Sequence, residues 1–307
     1  MQNYKHITTI CFMFIFFFGV QFQNLAMAGE KITWYIKGFP PAFILDGEYK
    51  DQGFADYLIK HLEAAMPDYD HDSVETNLKR TLQSLKTGEH CCYPALLRTP
   101  ERDQLAYFSA YIWLTPLQLI FNKSTAEKLK LIPGQKVSLE QILKNKDLSV
   151  ILDVKRRFTK NIDVLVKRYA SEPNIKPLVV TPGSSWASFK MVAEGHADYM
   201  IEYPWGAPIF LKENGLPEDA LVSVQIQELG KKVVGHVAHV ACPRTEWGSR
   251  VIHEIDDAIQ KMANEPAYRH AMQKWLNIPA DSDLGRQSEA FYNERASRSW
   301  HTAPENK

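Results

Sequence analysis

Metal-binding and redox signatures are missing from this sequence: its four cysteines form no C-x-x-C pair, and no H-E-x-x-H occurs. Zinc and dithiol chemistry therefore have no motif to stand on. No G-x-S-x-G nucleophile elbow is present, nor any glycine-rich loop of the kind that cradles phosphate. Excess charge is missing too, since 36 Lys and Arg face 36 Asp and Glu. A neutral chain gives no electrostatic reason to expect nucleic acid or an anionic membrane as a partner. Only Ile10–Val20 is a long apolar run, eleven residues against the roughly 20 that span a bilayer. There are no internal repeats and no low-complexity stretch.

That one apolar run has a meaning of its own. With Lys5 ahead of it and Asn24-Leu25-Ala26-Met27-Ala28 behind it, it reads as a secretory signal peptide (residues 1–28) cut after Ala28. No cysteine follows the cut, so nothing points to a lipid anchor. The expected mature protein, Gly29 to Lys307, is soluble, periplasmic and not inserted in the membrane. It carries 35 basic and 36 acidic side chains once Lys5 is removed. Its length exceeds what one compact core usually holds, so two lobes are expected.

Three cysteines survive the cut: Cys91, Cys92 and Cys242. Adjacent strand residues face opposite sides, so Cys242 can pair with Cys91 or with Cys92 while the other thiol faces away. His90, His236 and His239 add soft-metal ligand types. On one strand His236 and His239 would face opposite ways, so no metal site is expected. Gly183-Ser184-Ser185 reads as the cap of a helix that starts at Trp186, not as a hydrolase nucleophile.

Along the chain, Lys31–Ile36 alternates like a strand and ends at Gly38-Phe39-Pro40-Pro41. Gly53–Met66 and Asn77–Thr87 have helical spacing, with Gly88 just past the second. Cys91–Leu97 reads as a buried strand, and Tyr111–Asn122 as an extended apolar segment. A second run of alternating elements follows: strands at 148–154, 178–180 and 198–202, helices at 161–169 and 186–194. Leu221–Gln227 and Lys232–Cys242 are again extended. Glu246–Leu276 is helical with a break at Asn264-Glu265-Pro266. Residues 280–307 form a polar, loosely held C-terminal tail. The pattern is α/β, with two mostly parallel sheets flanked by helices.

Four stretches, in order, resemble a type II periplasmic solute-binding protein of extracellular solute-binding protein family 3, a group with many amino-acid receptors. Phe39-Pro40-Pro41-Ala42-Phe43 with Gln52-Gly53-Phe54-Ala55-Asp56 is similar to the family's opening. Thr99-Pro100-Glu101-Arg102 with Tyr107-Phe108-Ser109 is similar to its "TPER … DFS". Gly195-His196-Ala197-Asp198-Tyr199 and Tyr268–Leu276 are similar to its later motifs. The resemblance runs from about Lys31 to Pro279. It implies lobe one at 29–122 plus 228–279 and lobe two at 123–227. Hinge strands would lie near 117–122 and 222–227, with the solute held between the lobes.

The resemblance also places the site. The arginine at the position of Arg102 grips a ligand carboxylate, which suits a planar fork with two parallel N–H donors. Arg98 stands beside it. Leu97 replaces the hydroxyl residue found at that strand end. In lobe two a glycine turn is replaced by Val154-Lys155-Arg156-Arg157-Phe158-Thr159, which favours an acidic or larger anionic ligand or else is a basic surface turn. Glu202 lies where a carboxylate holds a ligand amine, or else it pairs with Arg156 or Arg157. Phe39, Phe43, Tyr93, Trp113 and Tyr203 are the aromatics expected at the cleft.

Three functions fit this pattern. The first is a monomeric, non-catalytic receptor for a small carboxylate-bearing, amino-acid-like solute, serving an ABC-type inner-membrane permease or a sensor. No cofactor is implied. The second is a dehydratase-like enzyme on the same fold, with Glu202 as general acid. The third is a receptor-like accessory protein whose cleft is filled by its own side chains.

Overall fold

A computed structural model of the chain describes residues 30–152, 156–177, 186–230, 235–279 and 281–298. The expected signal peptide, the strand at 178–180, the Gly183–Ser185 turn, and Val154 and Lys155 lie outside the described residues.

The first elements are β1 (Glu30–Ile36), α1 (Phe54–Ala65), β2 (Tyr69–Glu75), α2 (Leu78–Thr87), β3 (Cys91–Leu96) and β4 (Ala106–Leu114). The middle of the chain adds β5 (Gln118–Asn122), α3 (Lys123–Lys128), β6 (Lys136–Val137), α4 (Leu139–Lys144), β7 (Val150–Leu152) and α5 (Lys160–Tyr169). Then come β8 (Ile175–Pro177), α6 (Ala187–Ala193), β9 (Tyr199–Glu202), α7 (Gly206–Glu213) and β10 (Leu221–Ile226). The chain closes with β11 (His236–Pro243), α8 (Glu246–Met262), α9 (Pro266–Gln273) and α10 (Asp283–Ser297).

These strands form two sheets, ordered β2-β1-β3-β11-β4 and β6-β10-β5-β9-β7-β8. β1 runs parallel to β2 and β3, and β7 runs parallel to β8 and β9. Antiparallel pairing appears where the chain leaves one sheet and returns to it, at β11 with β3 and β4 and at β5 with β9 and β10. Parallel pairings outnumber antiparallel ones, five to four, as the α/β pattern leads one to expect. Residues 118–122 and 221–225 lie side by side in the second sheet, and the chain crosses to the first sheet beyond them.

Local chemistry sets these boundaries. Asn77 Oδ1 accepts the Arg80 N–H at 3.0 Å to cap α2, and Gly88 ends that helix at φ 79°, where a side chain is disfavoured. Pro94 interrupts a strand of the first sheet without an N–H to offer. Between the pairs His239–Leu96 and Ala241–Tyr93, β3 accordingly gains one residue on β11, a bulge that absorbs the missing donor.

The polar tail differs from expectation. Gly285, Ser288, Phe291, Tyr292 and Arg295 share one buried face of α10, which docks on β4 and α8. Charged residues between them hide a helical period from a reading of composition alone.

Cys92 pairs with Cys242, joining β3 to β11 across 150 residues of chain, and Cys91 stays a buried thiol. Burial pushes the Cys91 thiol up to about 12, so it is a poor nucleophile at neutral pH. Closing so long a loop restricts the unfolded chain strongly. Cys92→Ser with Cys242→Ser should cost about 2–5 kcal/mol, read as a lower urea midpoint than wild type under non-reducing conditions.

Candidate functional site

Four strand ends converge on one cavity of about 130 Å³, lined from the first sheet by Phe39, Tyr93, Leu97 and Arg102 and from the second by Arg156, Arg157, Glu202 and Tyr203. β1 and β3 on one side, and β7 and β9 on the other, all point their carboxyl ends at it. Open α/β sheets place ligands at such ends.

Phe39 is positioned by the start of α1. Phe54 and Ala55 donate their N–H groups to the carbonyls of Pro41 and Ala42 at 3.0 and 2.9 Å. The Asp56 carboxylate accepts from Ile44 and Gly53, each at 3.0 Å, and burial pushes it up to about 6. Gly53 is required here, since a Cβ would sit 2.3 Å from the Ala42 carbonyl. The loop so fixed presents the Phe39 ring edge-on to Tyr203 and Trp205, at 6.4 and 6.1 Å.

Arg102 opens a short 3-10 turn whose start is held by Thr99. The Thr99 carbonyl accepts from Asp103 at 2.9 Å and its hydroxyl from Arg102 N at 3.3 Å. This aims the guanidinium back over β3, where Nη1 donates to the Leu97 carbonyl at 2.8 Å. Arg102 is only 7% exposed, yet no carboxylate among the described residues pairs with it. Burial, with the Arg157 charge, lowers its pKa against the opposing fields of Tyr93, Asp163 and Glu101. Arg157 stands half exposed beside it, 4.0 Å from Asp163.

Glu202, at the end of β9, is buried and accepts from Arg156 through both oxygens: Nη2 reaches Oε1 at 2.7 Å, and Nη1 meets Oε2. The Tyr203 N–H also donates to Oε1, at 2.8 Å. The Arg156 guanidinium lies over Phe39, Phe158 and Tyr203, at 5.4, 5.2 and 5.5 Å from their ring centres. Of the two pairings open to Glu202 in the sequence, the one with Arg156 forms.

Four expected residues do not line the cavity. Phe43 is fully buried and stacks behind Tyr93. Trp113 faces the opposite way along β4, against Gly235. Arg98 Nε turns to Asp103 at 2.7 Å, and its guanidinium lies over Phe108. Phe158 floors the Arg156 guanidinium rather than the open space. Trp205 was not singled out in the sequence, though it stacks on Tyr203 at 4.6 Å and meets Phe54. Its proximity to Tyr203, two residues away, was the one available signal.

The Tyr203 hydroxyl meets His236 Nε2 across the two sheets. Burial first, and then the Arg156 charge, holds His236 down to about 4. A histidine whose folded pKa lies below its unfolded value of about 6.5 contributes stability that is present above pH 6.5 and lost as pH falls toward 4. His236→Gln should therefore flatten the acid slope in that window by up to about 1.4 kcal/mol per pH unit, measured by denaturation at stepped pH. Among the described residues no group of His, Cys, Asp and Glu is arranged to hold a metal, and no helix is long and apolar enough to cross a membrane.

No protein-family model matches the chain, and no curated protein does. Solved structures share the fold at low identity. A putative L-cystine ABC transporter protein from Listeria monocytogenes is 19% identical, with a TM-score of 0.59 over 80% of this chain and 96% of that one. An ancestral arginine-binding protein bound to arginine is 16% identical, with a TM-score of 0.59 over 81% and 99%. A structure from work on glutathione import in Streptococcus mutans is 17% identical, with a TM-score of 0.60 over 81% and 95%. The chain has the two-lobed α/β fold of these binding proteins.

Proposed function

We propose that the protein is a periplasmic solute-binding protein, a divergent relative of the family 3 receptors. It captures a small carboxylate-bearing solute between two lobes by hinge closure and presents it to an ABC-type permease or a sensor. One observation carries this reading: Arg102 is a buried guanidinium on the cavity wall that pairs with no carboxylate among the described residues. A buried cation without a counter-ion is costly unless something supplies one, and a ligand carboxylate fits its fork. The solved neighbours, named for cystine, arginine and glutathione import, support a transport role. In this reading the strands at 117–122 and 222–227 carry the hinge, and α10 travels with lobe one.

Non-enzymatic binding is favoured over a dehydratase because Glu202 is already ion-paired. A general acid must present a free oxygen to the leaving group, and Arg156 takes both oxygens of Glu202. The accessory reading draws on one observation too: Arg156 occupies part of the cleft with the protein's own side chain.

A thermal-shift panel of carboxylic acids on Gly29–Lys307 separates these readings. A solute at about 100 times its dissociation constant adds about 2.7 kcal/mol, a shift of several degrees. Stabilisation by at least one acid is the expected result. Silence across mono-, di- and amino acids would favour the accessory reading.

A further inference from the structure

Among the described residues the cavity holds one acidic side chain, Glu202, against the cations Lys37, Arg102, Arg156 and Arg157. Both oxygens of that carboxylate are taken by Arg156, and Oε1 accepts the Tyr203 N–H as well. The guanidinium that takes them is enclosed by the rings of Phe39, Phe158 and Tyr203. Aromatic faces around a carboxylate are how proteins hold a cationic ligand group. Here that place is filled from within the chain.

We propose that Arg156 is a built-in counter-ion filling the one acidic position among the described residues of the cavity, so that the site takes carboxylates without an amino group and rejects zwitterionic α-amino acids. The inference rests on the receptor reading and narrows its solute class to dicarboxylates, oxo acids and simple organic acids. The physics is a matter of unpaired charge. An entering carboxylate meets Arg102, whereas an entering ammonium meets Arg156 and finds, among the described residues, no carboxylate that is not already engaged. A buried ammonium without a partner is heavily penalised, and displacing Arg156 would leave two cations competing for one carboxylate. The neighbours are named for arginine and cystine, which have α-amino groups, so this chain should differ from them in what it selects.

Matched pairs differing only in the amine test this: glutarate against glutamate, succinate against aspartate, and 4-methylvalerate against leucine. On wild type, the amine-free member of the best-binding pair should bind at least about tenfold tighter by calorimetry. Arg156→Ala should lose that preference, and guanidinium chloride at low millimolar concentration should raise its melting temperature but not that of wild type, by refilling the caged position. Equal binding of both members of the pairs by wild type would overturn the proposal while leaving the receptor reading intact. Silence of wild type to every acid would instead bring down the receptor reading, and this proposal with it. If Arg156→Ala does not fold, Arg156→Ala with Glu202→Gln removes both charges together, and the wild-type pairs decide the matter alone.

Discussion

Arg295→Ala should destabilise the protein by about 3–5 kcal/mol, a fall in melting temperature of at least about 6 °C at this chain length. Arg295 and Asp256 are both fully buried, with Nη2 and Oδ1 2.7 Å apart. The guanidinium also donates to the carbonyls of Asp256 and Ala110 at 2.9 and 2.8 Å, and Ser109 Oγ donates to Asp256 Oδ1 at 2.6 Å. These bonds tie α10 to β4 and α8 at once. Truncating the arginine takes the cation away from a carboxylate buried in the core, and that uncompensated charge dominates the loss. Removing both charges is a different matter. Arg295→Met with Asp256→Leu should recover most of the stability, because the cost lies in the orphaned charge and not in the absent pair. Chemical denaturation of the two variants beside wild type reads both values. A loss under about 1 kcal/mol for Arg295→Ala would mean that α10 is not held through this pair.

That contact also marks where the sequence was hardest to read. Elements with strong periodicity were legible: α1, α2 and α8 lie within two residues of the expected spans, since apolar residues recur every three or four positions and caps such as Asn77 and Thr245 are local. The C-terminal helix was not legible, because its buried face includes Ser288 and Arg295, polar residues whose partners Gln273, Asp256 and Ala110 lie on other elements, 15, 39 and 185 positions away. The site divides in the same way. Arg102, Arg156, Glu202 and Tyr203 were nameable because each stands near a motif or at a strand end. Which residues face the cavity was not, since Phe43, Trp113 and Arg98 differ from their neighbours only in the side of the backbone they leave. The choice between Cys91 and Cys92 stayed open for that reason too.

Arg102→Ala should weaken carboxylate binding at least about 100-fold, since a charge-assisted pair to a buried carboxylate contributes roughly 3 kcal/mol or more. Arg102→Lys should recover only part of this. An ammonium keeps the charge but offers no planar fork, and its shorter reach gives up the bond to the Leu97 carbonyl that aims the group into the cavity. Neither variant should unfold the protein. Arg102 pairs with no carboxylate among the described residues, so its removal strands no opposite charge and relieves a desolvated one.

The measurement that bears most directly on this account is a calorimetric titration of the acid that stabilises the protein best into wild type and Arg102→Ala, at matched ionic strength. The account predicts saturable one-to-one binding by wild type and no measurable heat with a folded Arg102→Ala. Equal affinity in the two proteins would contradict it and move the solute away from the arginine on which the site is built.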